Sequence, residues 1–276
     1  MTTIEDFFSF PYNKEKNAEG KYMKPKLFIS HITEEKDLAK ILKDDIERRF
    51  MGAIEVFVSS DGKSIAAGSE WFDTIKQGLN NSDLMLVLCS TNSVTRPWIP
   101  FELGAAWMKG INPIPICHTD MLPGQLPSPI NMLQGINLSD NERFKDLVDI
   151  LHERTGLKIP EESLYDFKAL NEAVCRFERE YGVNAKANKA LANILKSLPY
   201  LKELFQEGNM YKTLICRLPE YDFKQLKAEF DVLVLLDMLS YQEIQNNNIF
   251  IGTTGLTAGS EVQVSFILKE NIKRIL

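Results

Sequence analysis

Cysteine is scarce and scattered in this chain of 276 residues: the four stand at Cys89, Cys117, Cys175 and Cys216, with no C-x-x-C pair. That spacing argues against a disulfide framework, a zinc ribbon and a redox dithiol, so reduced thiols in a cytoplasmic protein are expected. A basic surplus is missing too. With 38 acidic against 32 basic residues, the net charge of −6 opposes bulk electrostatic binding to a nucleic-acid backbone, though not a local basic patch. No run approaches the roughly eighteen apolar residues of a membrane span. Residues 1–24 hold acids and aromatics without a basic segment and apolar core, so no signal peptide is expected either. G-x-G-x-x-G, phosphate-loop and H-E-x-x-H patterns are absent, which leaves no motif for a resident cofactor or catalytic zinc. Cys117 and His118 adjoin, but two ligands do not make a metal site. Internal repeats and low-complexity tracts are also lacking.

What the chain does hold is an ordinary globular composition, 44% hydrophobic and 25% charged, over a length fitting one large domain or two modest ones. Strand and helix signals alternate through the first half. Residues 26–30 read as a strand. Thr33 then serves as an N-cap, and Glu34 and Glu35 put acids in a first helical turn, where the dipole favours them. Leu38, Ile41, Leu42, Ile46 and Phe50 recur at helical spacing. A second strand covers 54–58, a polar loop 59–68, and a helix opens at Ser69 and runs to about Leu79. Residues 84–88 are apolar throughout, as a central parallel strand covered on both faces should be. Residues 112–116 form a fourth strand, which Pro113 and Pro115 assign to an edge or a bulge.

This alternation implies a parallel, flavodoxin-like α/β sheet with helices on both faces. Such sheets bind ligands beyond the carboxyl ends of their strands, near a topological switch point. Those ends are Ser30-His31, Ser59-Ser60-Asp61 and Cys89-Ser90, and the segment Trp98-Ile99-Pro100-Phe101-Glu102 follows the third. Glu102 stands among bulky apolar neighbours, and an ionised carboxylate there requires a partner or a use. A first-turn position favours its anion, whereas burial beside Trp98 and Phe101 opposes it; the sequence leaves that balance open. Pro97 and Pro100 leave the helix start open as well. If both residues are helical, Trp98 and Glu102 share a face at i,i+4, and Trp98 is either core or pocket wall.

Ser139 and Glu142 form a capping-box pattern before a helix through about Glu153, closed by Gly156. Residues 156–160 mark a domain boundary, giving an N-terminal extension at 1–23, an α/β domain at 24–157 and a C-terminal domain at 158–276. In the last, helical patterns cover 161–181, 186–197, 199–206 and 220–239, and strand-like runs at 248–252 and 262–268 flank a turn-rich segment. A smaller, mostly helical domain with a terminal β-hairpin, winged-helix-like, is expected. Glu220, Asp222, Glu229, Asp231 and Asp237 stand there against Lys224 and Lys227, so oligomerisation or sensing is expected rather than nucleic-acid binding.

The opening Lys26-Leu27-Phe28-Ile29-Ser30-His31, the loop 61–68 and Trp98-x-x-x-Glu102 together resemble a Toll/interleukin-1 receptor (TIR) domain of the bacterial type, over about residues 24–155. The resemblance to the NAD-cleaving branch implies that NAD+ is a substrate, not a cofactor, and that its nicotinamide–ribose bond is broken to give nicotinamide and ADP-ribose or a cyclic isomer. It places the catalytic carboxylate at Glu102 and the motif tryptophan at Trp98. The substrate side is expected to draw on Phe28, Ser30, His31, Trp71 and Ser90 besides Trp98. Loop residues Asp61, Gly62 and Lys63, otherwise a surface turn, are implied in TIR–TIR assembly into a homo-oligomer. An activating protein or ligand at the C-terminal domain, and a role in bacterial immunity or virulence, complete that reading. Its rivals are a non-enzymatic TIR scaffold and a nucleoside deoxyribosyltransferase-like enzyme.

Overall fold

A computed structural model describes residues 24–58, 69–138, 140, 143–157, 166–244 and 261–276. Asp61, Gly62, Lys63, the capping pair Ser139 and Glu142, and the strand-like run 248–252 lie outside the described residues. The chain divides into two compact units, residues 1–181 and 182–276.

The first unit is built on five parallel strands, β1 (Lys26–Ser30), β2 (Glu55–Val58), β3 (Leu84–Cys89), β4 (Ile114–Cys117) and β5 (Ile136–Asn137), in the order β2-β1-β3-β4-β5. Side chains alternate between the faces of a strand. Leu27 and Ile29 of β1 and Leu84, Leu86 and Leu88 of β3 enter one core with Leu38, Leu42 and Ile46 of α1 (Lys36–Arg49) and Leu147 and Leu151 of α4 (Arg143–Thr155). Phe28, Met85, Val87 and Cys89 enter the other with Ile75 and Leu79 of α2 (Ser69–Asn80) and Ile99, Leu103 and Ala106 of α3 (Trp98–Met108). Two covered faces explain why β3 is apolar at every position. Strand order reverses between β1 and β3, the switch point of a doubly wound sheet.

Three expectations change here. The fourth strand is interior, flanked by β3 and β5, despite Pro115. His118 N–H donates to Cys89 O (3.1 Å) and Leu138 N–H to Cys117 O (2.8 Å), so even-numbered residues of this strand address β3 and odd ones β5. Pro115 therefore turns its missing donor to the β5 side, where pairing starts only at Ile116, and no ladder bond is lost. The division between units also falls later than residues 156–160. Gly156, at φ +64, does end α4 in the left-handed conformation glycine allows. Beyond it runs a single helix, α5 (Lys168–Ser197), where the sequence reads two. Its Leu170 and Val174 join the first unit's core, and Ala187, Ala190, Leu191 and Ile194 join the second unit's.

After α6 (Leu201–Leu204), the second unit runs β6 (Thr213–Pro219), α7 (Glu220–Gln225), α8 (Lys227–Leu235), β7 (Leu239–Ile244) and β8 (Glu261–Leu268). Its antiparallel sheet has the order β6-β8-β7, the connectivity of a winged helix. The second run of the expected hairpin, 262–268, falls on β8, which pairs with both β6 and β7, and β7 occupies a segment whose first residue the sequence counts as helical. Leu218, Phe223, Phe230, Leu233, Val264 and Phe266 form its core. Among the described residues no helix is long and apolar enough to cross a membrane.

Candidate active site

The α3 helix begins at Trp98, with Pro97 in helical geometry just before it (φ −56, ψ −24), so Trp98 and Glu102 do share a helical face. The Trp98 indole Nε1–H donates to Glu102 Oε1 at 2.6 Å. The Ser30 hydroxyl, from the carboxyl tip of β1, donates to Glu102 Oε2. Glu102 is 0% exposed, packed on the helix side that carries Ile99, Leu103 and Ala106 into the core. Burial raises its pKa to about 7, against the opposing pull of the Ser30 and Trp98 hydrogen bonds. A helix, a strand tip and one carboxylate thus meet at the switch point, with the acid poised to change charge near neutral pH. Trp98 is half-buried, its ring 5.0 Å from that of Phe101.

The other expected site residues distribute differently. His31 is 1% exposed; its Nδ1 donates to Ile32 O at 2.7 Å, and its Nε2 has no hydrogen-bond partner. Phe28 lies in the core, stacked on Phe57 at 5.5 Å, on the same strand face as Ser30. Trp71 sits on α2, and its side chain lies outside the described residues. Ser90 is engaged elsewhere: its hydroxyl donates to Glu35 Oε1 at 2.7 Å and lies 3.0 Å from the Tyr181 hydroxyl.

Around Glu35 stands a second buried polar cluster, one that sequence reasoning missed. Glu35 accepts from His118 Nε2 at 3.0 Å and, through its other oxygen, from Ile32 N–H at 3.3 Å. Glu35, rather than Thr33, therefore satisfies the turn before α1. Tyr181 and Phe177 of α5 pack edge-on against the His118 ring, and Glu178 Oε1 accepts the N–H of Thr119, which sits at φ +59. The only sequence signal was Glu35 three residues after Ile32; nothing local ties it to residues 90, 118 or 181. Burial pushes the Cys117 thiol up to about 12 and the Cys89 thiol well above its usual range, so both remain protonated. Among the described residues no cluster of His, Cys, Asp and Glu is suited to a metal ion.

A doubly wound sheet with a buried carboxylate clamped at its switch point defines the class: an α/β protein with a candidate rim site. Residues 27–151 match the family model described as TIR domain, a span that includes α3 and all of β1 but Lys26, with Ser30, Trp98 and Glu102, and the five-stranded sheet with its flanking helices is a TIR domain fold. All of α5 and all of residues 182–276 lie beyond that match. Among solved structures the chain is similar to the TIR domains of the activated Roq1 resistosome directly recognizing the pathogen effector XopQ. That likeness has 14% identity and a TM-score of 0.27 over 56% of this chain and 84% of that one. No curated protein matches the chain.

Proposed function

We propose that this protein cleaves the nicotinamide–ribose bond of NAD+, with Glu102 as the group that opposes positive charge on the ribose. The observation that carries the reading is a carboxylate at the β1 tip, held through both oxygens, within the segment that matches the TIR family. When the bond breaks, its electron pair stays with the ring nitrogen and nicotinamide leaves neutral. The demand then falls on the oxocarbenium character of the sugar, which a fixed anion stabilises. Water adding to C1′ and losing a proton gives ADP-ribose, whereas attack by a nucleophile of the same substrate gives a cyclic isomer. His31 offers the matching recognition point, since its unfilled, buried Nε2 accepts a hydroxyl or amide donor from the substrate.

Glu102 acts as an anion in this scheme, so turnover rises as pH passes through about 7, where the side chain ionises. Full enclosure of Glu102 fits an enzyme whose site opens on self-assembly. Nicotinamide release measured across protein concentration, with products separated chromatographically, tests both claims. A rate rising faster than linearly supports assembly, and unaltered release from a folded Glu102→Gln variant would overturn the role of the acid.

A second reading has an observation of its own. Both oxygens of Glu102 are satisfied within the protein, which also suits a structural glutamate in a non-enzymatic TIR scaffold. Self-association without nicotinamide release at any concentration would favour it. A cytoplasmic setting and a part in bacterial immunity or virulence belong to the enzymatic reading.

A further inference from the structure

We propose that Ser30 is the positioning residue of this site, its hydroxyl holding one oxygen of Glu102 so that the carboxylate form is favoured and fixed to the sheet. The proposal rests on the reading of Glu102 as the charge-stabilising acid, and it moves Ser30 from the substrate contacts to the catalytic support. The two hydrogen bonds at Glu102 are unlike in origin. Trp98 lies on the same helix, so its bond travels with α3 and says nothing about where the carboxylate sits on the sheet. Ser30 ends β1, which is paired on both sides, and is fully buried. Its bond spans 72 residues of sequence and is the one that locks helix to strand.

The two donors also differ chemically. An indole N–H only donates, so Oε1 remains an acceptor in either charge state of Glu102. The proton of the acid form therefore sits on Oε2, where Ser30 must turn from donor to acceptor. A hydroxyl does both, and its donating arrangement favours the anion. Ser30 thus faces the oxygen that titrates, and the depressing effect of its bond on the Glu102 pKa agrees with that role.

The test is the pH profile of nicotinamide release by the full chain. Ser30→Ala is expected to move the rising limb up by about one pH unit, with turnover near neutrality down roughly fivefold and regained at higher pH, as loss of one charge-assisted bond implies. KM should change little, and Ser30→Thr, which keeps the hydroxyl, should restore the wild-type profile. Ser30→Cys, nearly isosteric and a weaker donor, should shift the limb in the same direction by less and guards against a misfolded alanine variant. A purely structural role would lower turnover equally at every pH. The pH dependence of unfolding, compared with and without Glu102→Gln, reads the same ionisation without any activity. If the wild type releases no nicotinamide, the proposed reaction falls, yet an upward shift of that unfolding limb in Ser30→Ala still supports the positioning role. A limb that stays in place or moves down overturns it.

Discussion

Glu102 is held in a condition its own ionisation opposes. In the folded chain it keeps a proton up to about pH 7, whereas its ordinary value is 4.5. The native state therefore binds this proton more tightly than the unfolded state. Its stabilising effect is complete below about pH 4.5 and is lost as pH rises through 7, which is where the proposed reaction needs the anion. Replacing the acid with Gln should abolish nicotinamide release and, above pH 7, raise unfolding free energy by up to ~3 kcal/mol, with little gain at pH 4. Denaturant unfolding at pH 4 and pH 8 checks this, and equal effects at both would contradict a buried titrating acid. His31 poses a related tension, since a buried nitrogen without a partner costs about 1 kcal/mol or more. His31→Phe should accordingly raise the melting temperature while raising KM for NAD+; a variant less stable with unchanged KM would show a structural histidine. At this scale the sequence was partly legible. Trp98 and Glu102 could be paired because i,i+4 spacing is a property of any helix that contains both. The partnership of Ser30 could not, because it depends on strand register across 72 residues. Ser90 meets the same limit: a strand-tip hydroxyl reads alike whether it faces a ligand or a buried glutamate.

Elements were easiest to read where one force dominated. β3 is apolar because both faces are covered, and α1 shows its apolar stripe because only one side is. β6 escaped notice because Ile215 points outward, 55% exposed, and blurs the alternation of Leu214, Cys216 and Leu218. β7 escaped because the leucine-rich run before it extends a helical pattern that Asp237, at φ +54, interrupts. The two-residue β5 is too short to carry any period. Glu35 ties four such elements together, since the turn before α1, the β3 tip, the β4 tip and α5 all place donors on one buried carboxylate. Glu35→Ala strips the acceptor from these enclosed donors and should cost ~3 kcal/mol or more. Tyr181→Phe removes only the phenolic hydroxyl, which lies 3.0 Å from the Ser90 hydroxyl, and should cost ~1 kcal/mol. Urea unfolding of both variants measures the ratio. Equal and small losses would mean that apolar packing of Leu170 and Val174, not the polar cluster, holds α5 to the first unit.

For the molecule as a whole, two compact units divide the work. The first is a doubly wound sheet with the candidate site at its switch point, and the second has the connectivity of a winged helix. That connectivity invites a nucleic-acid reading, and charge argues against it. A helix that reads duplex DNA must offer basic side chains to phosphates, because neutralising them supplies the sequence-independent part of the affinity. The exposed positions of α8 are Lys227, Ala228, Asp231, Val234 and Leu235, the last 83% exposed, and Lys227 is paired with Glu243 at 3.4 Å. On α7, Lys224 is paired with Glu220. A net charge of −6 adds repulsion at longer range. Fluorescence anisotropy with labelled duplex DNA at physiological salt should therefore give a dissociation constant no tighter than about 10⁻⁵ M. Charge reversal at Asp231 and Glu243 to Lys should strengthen binding and steepen its salt dependence. Submicromolar binding by the wild type, weakening in proportion as salt rises, would make the second unit a DNA reader after all and remove the charge argument for a sensing or assembly role.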